Sequence, residues 1–497
     1  MRSTRAAIPI SILLACFAAD TQTRAQEAHP DIVLFFQAAG SDEKQARVAL
    51  DEISRHWRDG YTPMFIDFAR MMRGPSRARN DTNDGPASLS GGSLTPDSRG
   101  GRETPGVSSP GPTVKGVDTG SPVRRRLLRF LKKQTGKKFG DDLDGWRRWM
   151  WSIPYDPHPQ YAYLKAGIYR NIDPRMTEFL YPDRPAAIRL DEIDWGGVRV
   201  NGIPPLDHPP ALAVDAADYL DDEDIVFGLE IGGESRAYPK RIAGWHELVR
   251  DTLGTIEITL VYCTMCGSVI PYESRLGDET LTFGTSGLLY RSNKLMFDEE
   301  TKTLWSSLYG KPVVGPRVGS GQRLKRIPVV ATTWREWKAM HRETTVLSPE
   351  TGFDRDYSVG AAYVDYERND RIWFEVPAID KRLKNKDVVL TLEHGDAALA
   401  VSRKFLLANP IYYHVMGGER IAFLTSRAGT TRAYLVGDQD FASWGQGMSL
   451  LGPEESHWRV EEEALVGEDG TRLPRVATSP SYWFGWYAQY PETELVK

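Results

Sequence analysis

Cysteine is nearly absent: the 497 residues hold three. Cys16 falls in an apolar N-terminal stretch, so every thiol reading of the remainder rests on one pair, Cys263 and Cys266. Beyond residue 19 no apolar run approaches the roughly 20 residues that a membrane helix needs, which excludes a further transmembrane span. The second half lacks a large basic patch and the net charge is −5, so no nucleic-acid partner is expected. The Gly-x-Ser-x-Gly elbow of a serine hydrolase is missing, since Gly284-Thr285-Ser286-Gly287 lacks its spacing. Gly267, not His, follows Cys266, which excludes a c-type haem link, and no second Cys-x-x-Cys completes a four-ligand zinc knuckle.

What is present divides into regions. Arg2 and Arg5 precede an apolar run over 6–19, and Thr23-Arg24-Ala25 offers a small-residue cleavage site. Residues 1–25 therefore read as an export signal, placing the protein in the periplasm or outside the cell. The alternative is a lipoprotein anchored at Cys16. Apolar residues at helical spacing predict helices over 41–57 and 61–72, capped at Ser41 or Asp42. Residues 73–122 are dominated by Gly, Pro, Ser and Thr and read as a disordered, low-complexity insertion. Helices resume over 123–133, 138–152 and 161–180. Helical segments 28–72 and 123–187 thus form a small HEAT-like region, whose basic helix offers a membrane-surface contact. From 188 to 497 short β-type runs alternate with Gly and Pro turns, predicting a large β-rich domain of barrel or sandwich type. The fold class expected is α+β.

The Cys-x-x-Cys pair sits in that domain. Residues 256–262 are rich in β-branched and aromatic types and read as a strand, and Gly267 permits a tight turn. A second strand-like run follows, so the context is strand, turn, strand rather than the helix start of a thioredoxin site. Such a pair serves as a reducible disulfide, a metal knuckle or a structural bridge. His246 stands one strand earlier in Gly244-Trp245-His246-Glu247. It is the candidate base for a thiolate, or a third metal ligand with Cys263 and Cys266 around zinc or copper, Glu247 standing behind it. Ser286 is the candidate hydrogen-bond donor to a substrate oxygen or thiolate. Arg291 and Asp298 suit an ion pair, and Trp483, Phe484, Trp486 and Tyr487 suit core packing.

The series Asn201-Gly202-Ile203-Pro204-Pro205-Leu206, AYPKRIAGWHELVRDT, LVYCTMCGS, TFGTSGLLYRSNKLMFDEETKTLWS, LSPETGFDRDY and SYWFGWYAQYPETEL resembles a bacterial family, domain-of-unknown-function family 3179. The resemblance spans roughly 188–497. It implies that the cysteine pair, His246 and the Thr285-Ser286-Gly287 turn belong to one recurring pattern, and it supplies no reaction. Three functions follow as expectations: an exported thiol oxidoreductase exchanging with a small-molecule or protein thiol, a zinc or copper protein, or a non-catalytic envelope binding module.

Overall fold

The computed structural model describes residues 29–71, 122–181, 183–395, 397–453 and 456–497. The expected export signal, the lipoprotein alternative at Cys16 and the insertion up to residue 121 lie outside the described residues. The chain is mixed α+β. None of its described helices is long and apolar enough to cross a membrane.

The helices form where periodicity and caps coincide. Glu43–Arg55 starts at Asp42, whose carboxylate accepts from the Lys44 and Gln45 amides, and buries Ala46, Ala49, Leu50 and Ile53. Leu143–Ser152 is capped by Asp142. The helix expected over 161–180 is broken instead: Tyr161–Arg170 ends, Asp173 caps a single turn begun by Pro174, and Thr177–Leu180 follows. Proline lacks the amide that a continuous helix would need there. The helices gather around Thr62–Met71, which touches Pro122–Thr135, Leu143–Ser152 and Tyr161–Arg170. Ile32–Ala38 and Glu43–Arg55 pack as a successive pair, but this arrangement does not establish the expected HEAT-like repeat. Their core runs without a break into Leu288, Tyr290, Leu295 and Phe297 of the first β-sheet.

The β region holds six open sheets among the described residues, rather than one closed barrel. Two of them share a topology that the sequence did not announce. In the first unit, strand Ile225–Ile231 turns into Glu234–Pro239 and helix Lys240–His246. Later, strand Val330–Thr333, helix Trp334–Met340 and strand Thr345–Leu347 return to the same sheet. The outer strand of that return pairs antiparallel with Ile225–Ile231, and the last strand runs parallel to Glu234–Pro239. In the second unit, Val388–His394, Ala397–Ser402 and helix Arg403–Ala408 are followed by Ser479–Tyr482, helix Trp483–Gln489 and Glu494–Val496. The order and sense of pairing are the same.

Each unit inserts an antiparallel meander after its first helix. In the first unit it is Leu248–Leu253, Ile256–Cys263 and Ser268–Glu273; in the second, Ile411–Met416, Glu419–Thr425 and Thr431–Leu435. The returning strand and helix of each unit dock on the meander turn of the other. The Tyr482 amide donates to the Cys266 carbonyl at 2.7 Å, and the Thr430 hydroxyl to the Thr332 hydroxyl at 2.8 Å. The thiol turn is therefore held between the two units.

Candidate thiol site

Strand Ile256–Cys263 pairs with Ser268–Glu273 up to Cys263↔Ser268, leaving Thr264, Met265, Cys266 and Gly267 as the turn. Gly267 takes a left-handed φ of 60°, and a Cβ there would press on the Tyr482 ring at 3.0 Å. The turn's carbonyls are pinned: Tyr366 Oη donates to Met265 O at 2.8 Å, and the Tyr482 amide holds that of Cys266. Gly485 of the returning helix lies against the second thiol, where a Cβ would stand 2.9 Å from Cys266 Cβ and Sγ.

Both cysteines are buried and free. A hairpin tip lies against them. Tyr290 pairs with Asn293 across Arg291 and Ser292, both left-handed at φ 47° and 65°, as a two-residue type I′ loop requires. Its Ser292 carbonyl lies 3.3 Å from Cys266 Sγ and 3.9 Å from Cys263 Sγ. Non-glycine residues in that conformation carry strain, which persists where the surroundings enforce it.

The two thiols are not equivalent. Burial pushes Cys263 up, but a hydrogen bond from the Cys266 thiol and one from the Cys266 backbone amide favour its thiolate. With the Lys294 ammonium they outweigh both burial and the nearby Glu247 carboxylate, so Cys263 falls below the ordinary thiol range. Cys266 is raised well above it by burial and by the hydrogen bond and charge of Cys263, with the Asn293 amide opposing. Beside the pair, Lys294 and Glu247 form a buried ion pair. Glu247 also accepts from Thr264 Oγ1 at 2.7 Å and Tyr363 Oη at 3.3 Å. Removing either ion alone would strand a buried charge.

His246 is not brought to the thiols. It ends helix Lys240–His246, and Glu247 follows as a left-handed C-cap at φ 58°. Strand pairing begins only after it, with the Tyr262 amide donating to the Glu247 carbonyl at 2.8 Å. The carboxylate of Glu247, rather than the imidazole, therefore serves the thiol end. His246 Nδ1 donates to the Pro204 carbonyl at 2.8 Å, and Nε2 accepts from Tyr357 Oη at 2.5 Å. Burial lowers its pKa to about 4, with the Pro204 carbonyl opposing. Among the described residues no group of three His, Cys, Asp or Glu side chains is arranged to hold a metal ion.

Ser286 is also placed elsewhere. It fills the β-bulge between Thr285 and Leu288, donating to the Leu295 carbonyl and accepting from the Leu288 amide. Arg291 pairs with Glu192 rather than Asp298, which accepts from Trp305 Nε1. The site residues that sequence reasoning passed over are Lys294, Ser292, Asn293 and Tyr366. The first three stand together in Arg291-Ser292-Asn293-Lys294, where two polar residues between strand-like runs signal a hairpin tip but not its target.

Residues 348–387 cover the thiols. This stretch holds one short helix, Val364–Glu367, between strands. Its Tyr363, Tyr366, Trp373 and Phe374 pack on Cys263, Met265 and Cys266. Long irregular segments in compact domains are commonly functional covers. A family model described as "Protein of unknown function (DUF3179)" matches residues 200–493. No curated protein and no solved structure matches the chain.

Proposed function

The chain belongs to the DUF3179 family, a family of unknown function, and from the site it carries we propose thiol–disulfide exchange. The observation that carries this reading is two free, buried thiols at one hairpin turn, with Cys266 Sγ 3.3 Å and Cys263 Sγ 3.9 Å from the same Ser292 carbonyl, and with hydrogen bonds from Cys266 and the Lys294 ammonium favouring the Cys263 thiolate. The Cys263 thiolate attacks one sulfur of a disulfide R–S–S–R, forming Cys263–S–S–R and releasing one R–S⁻. Cys266 then loses its proton and attacks the Cys263 sulfur, expelling the second R–S⁻. Two thiols of the protein become one disulfide, and two R–SH carry away the two protons. The exported address read from residues 1–25 supports an oxidising setting for this chemistry. Burial protects the thiolate from adventitious oxidants, and exchange requires the 348–387 cover to open.

Thiol trapping followed by mass spectrometry across a series of thiol/disulfide buffers tests the proposal. A single reversible two-electron transition is expected, with a mixed disulfide accumulating on Cys263 in Cys266→Ser. If both thiols stay reduced under strongly oxidising buffer, or the mixed disulfide forms on Cys266 in Cys263→Ser instead, the reading fails. Metal analysis of the same samples separates a metal thiolate from a dithiol.

A further inference from the structure

Helix Pro122–Thr135 divides its residues by face. Leu127, Leu128, Phe130 and Leu131 are buried in the core shared with helix Thr62–Met71. Arg125, Arg129, Lys132 and Lys133 are exposed. Spaced i, i+4, i+7 and i+8, they form one row along the opposite face. The chain leaves the helix at Gly136, left-handed at φ 71°, and adds Lys137 and Lys138, exposed as well. Among the described residues none of these six cations forms an ion pair; Asp142 faces Arg148 instead, at 3.9 Å.

The surplus of charge survives a count of the surroundings. Residues 122–142 carry eight basic and two acidic side chains, and helix Glu43–Arg55 with its cap Asp42 carries three and four. That helix meets this one at Gln134, whose amide donates to Ser54 Oγ at 2.7 Å. Segment 72–121 holds six basic and five acidic residues, so it offers no internal counter-charge. Nor does helix stability account for the row. The first turn has no acidic residue and holds Arg124 and Arg125, where the helix dipole disfavours cations. Arg125 and Arg129, and again Arg129 and Lys133, are like charges one turn apart, which oppose each other. Only Lys132 and Lys133, in the last turn, suit the dipole.

A row of cations on a convex helix forms no cradle for a single anion. It offers no aromatic ring for a nucleic-acid base to stack on either, since Phe130 is buried. It matches a broad field of negative charge. We infer that this face binds the surface of a membrane containing anionic phospholipid, through charge alone. The apolar face of the helix is already packed in the core, so none of its side chains enters the acyl region as those of an interfacial helix do. Binding is therefore reversible and weakens as salt rises. This surface goes beyond the exchange reading and does not depend on it.

Co-sedimentation of the full chain with vesicles tests the surface. Phosphatidylcholine vesicles containing phosphatidylglycerol are expected to carry the protein down, vesicles of phosphatidylcholine alone are not, and added salt should release it. The variant Arg125→Gln, Arg129→Gln, Lys132→Gln and Lys133→Gln keeps good helix formers at exposed positions. It should weaken partitioning at least about a hundredfold with the unfolding midpoint retained. Should that variant fail to fold, Lys137→Gln with Lys138→Gln, both outside the helix, should still weaken partitioning about tenfold. Equal partitioning onto both kinds of vesicle overturns the inference, because the apolar run over 6–19 would then carry the binding. So does undiminished partitioning of the folded variants. Tighter binding to double-stranded DNA than to the anionic vesicles at the same salt overturns the choice of lipid as partner.

Discussion

Residues 225–347 and 388–496 run through the same path of hairpin, helix, meander, strand, helix and strand, yet their meander turns hold different chemistry. Matched along the strands, the amide after each helix-end carbonyl is Tyr262 in one unit and Thr425 in the other, donating to Glu247 and Pro410. The next residue is Cys263 in the first and Ser426 in the second. The returning helices match as well: Trp337 Nε1 donates to Thr344 Oγ1, and Trp486 Nε1 to Thr493 Oγ1, both at 2.9 Å. At one turn the docked helix offers Gly485, and two thiols fill the space. At the other it offers Glu336, and Arg432, Glu462, Arg475 and His341 fill it with a buried ion network. The shared path supplies rigidity, and reactivity is a local substitution within it.

The largest effect expected from breaking this comparison is at the ionic turn. Arg432 is fully buried and donates through Nε and Nη2 to Glu462. Arg432→Met leaves that carboxylate with less compensation and should cost about 3–5 kcal/mol in denaturant unfolding. The thiol-trapping transition of Cys263 and Cys266 should not move, because the two turns are separate sites on one frame. A shifted transition would show that the ionic turn governs the thiols.

A somewhat smaller effect is expected at His246. Its pKa of about 4 in the folded chain lies below the ordinary value of 6.5, so the unfolded chain takes up the proton first as pH falls. Stability is complete above pH 6.5 and declines toward pH 4, by roughly 3 kcal/mol at most. His246→Gln keeps a neutral hydrogen-bonding group and should flatten that decline, read as unfolding midpoints at pH 7 and 4.5. The alkylation profile of Cys263, with its midpoint below that of an ordinary thiol, should be the same in both proteins. A shifted profile would restore His246 to the role of thiolate base that its place in the sequence suggests.

That contrast shows what could be read from the chain. The strand before Cys263 was legible because 256–262 is β-branched and aromatic, and the turn was legible because Gly267 follows the pair. The helix over 43–55 was legible through its spacing and its aspartate cap, and the helix over 143–152 was expected in place but with its start set five residues early, at 138. Helix Lys240–His246 was not, because Pro239 and Gly244 frame a stretch too short to show a period, and the strand expected to bring His246 to the thiols starts only beyond Glu247, the next residue. That one residue decides whether an imidazole or a carboxylate reaches the sulfurs. Lys294 and Ser292 were hidden for another reason: they reach the site from a hairpin far along the chain. The twin topology left only a faint trace, Trp-x-x-Trp followed seven residues later by Thr, at 334–344 and again at 483–493.

The smallest effect is the sharpest test of that trace. Trp337 and Trp486 are fully buried, and each indole N–H has one threonine hydroxyl as its partner, which in turn donates to the next carbonyl. Thr344→Val and Thr493→Val are nearly isosteric and strand the same buried donor in each unit. Each should cost about 1–2 kcal/mol. If the two units are equivalent in energy as well as in path, the two costs should agree within about 0.5 kcal/mol, and the double variant should show their sum, because the sites share no partner. A large cost at one threonine and none at the other would reduce the likeness of the two units to a matter of outline. Equal costs would mean that the frame around the thiols is as firm as its ionic twin, and that opening for exchange falls to residues 348–387.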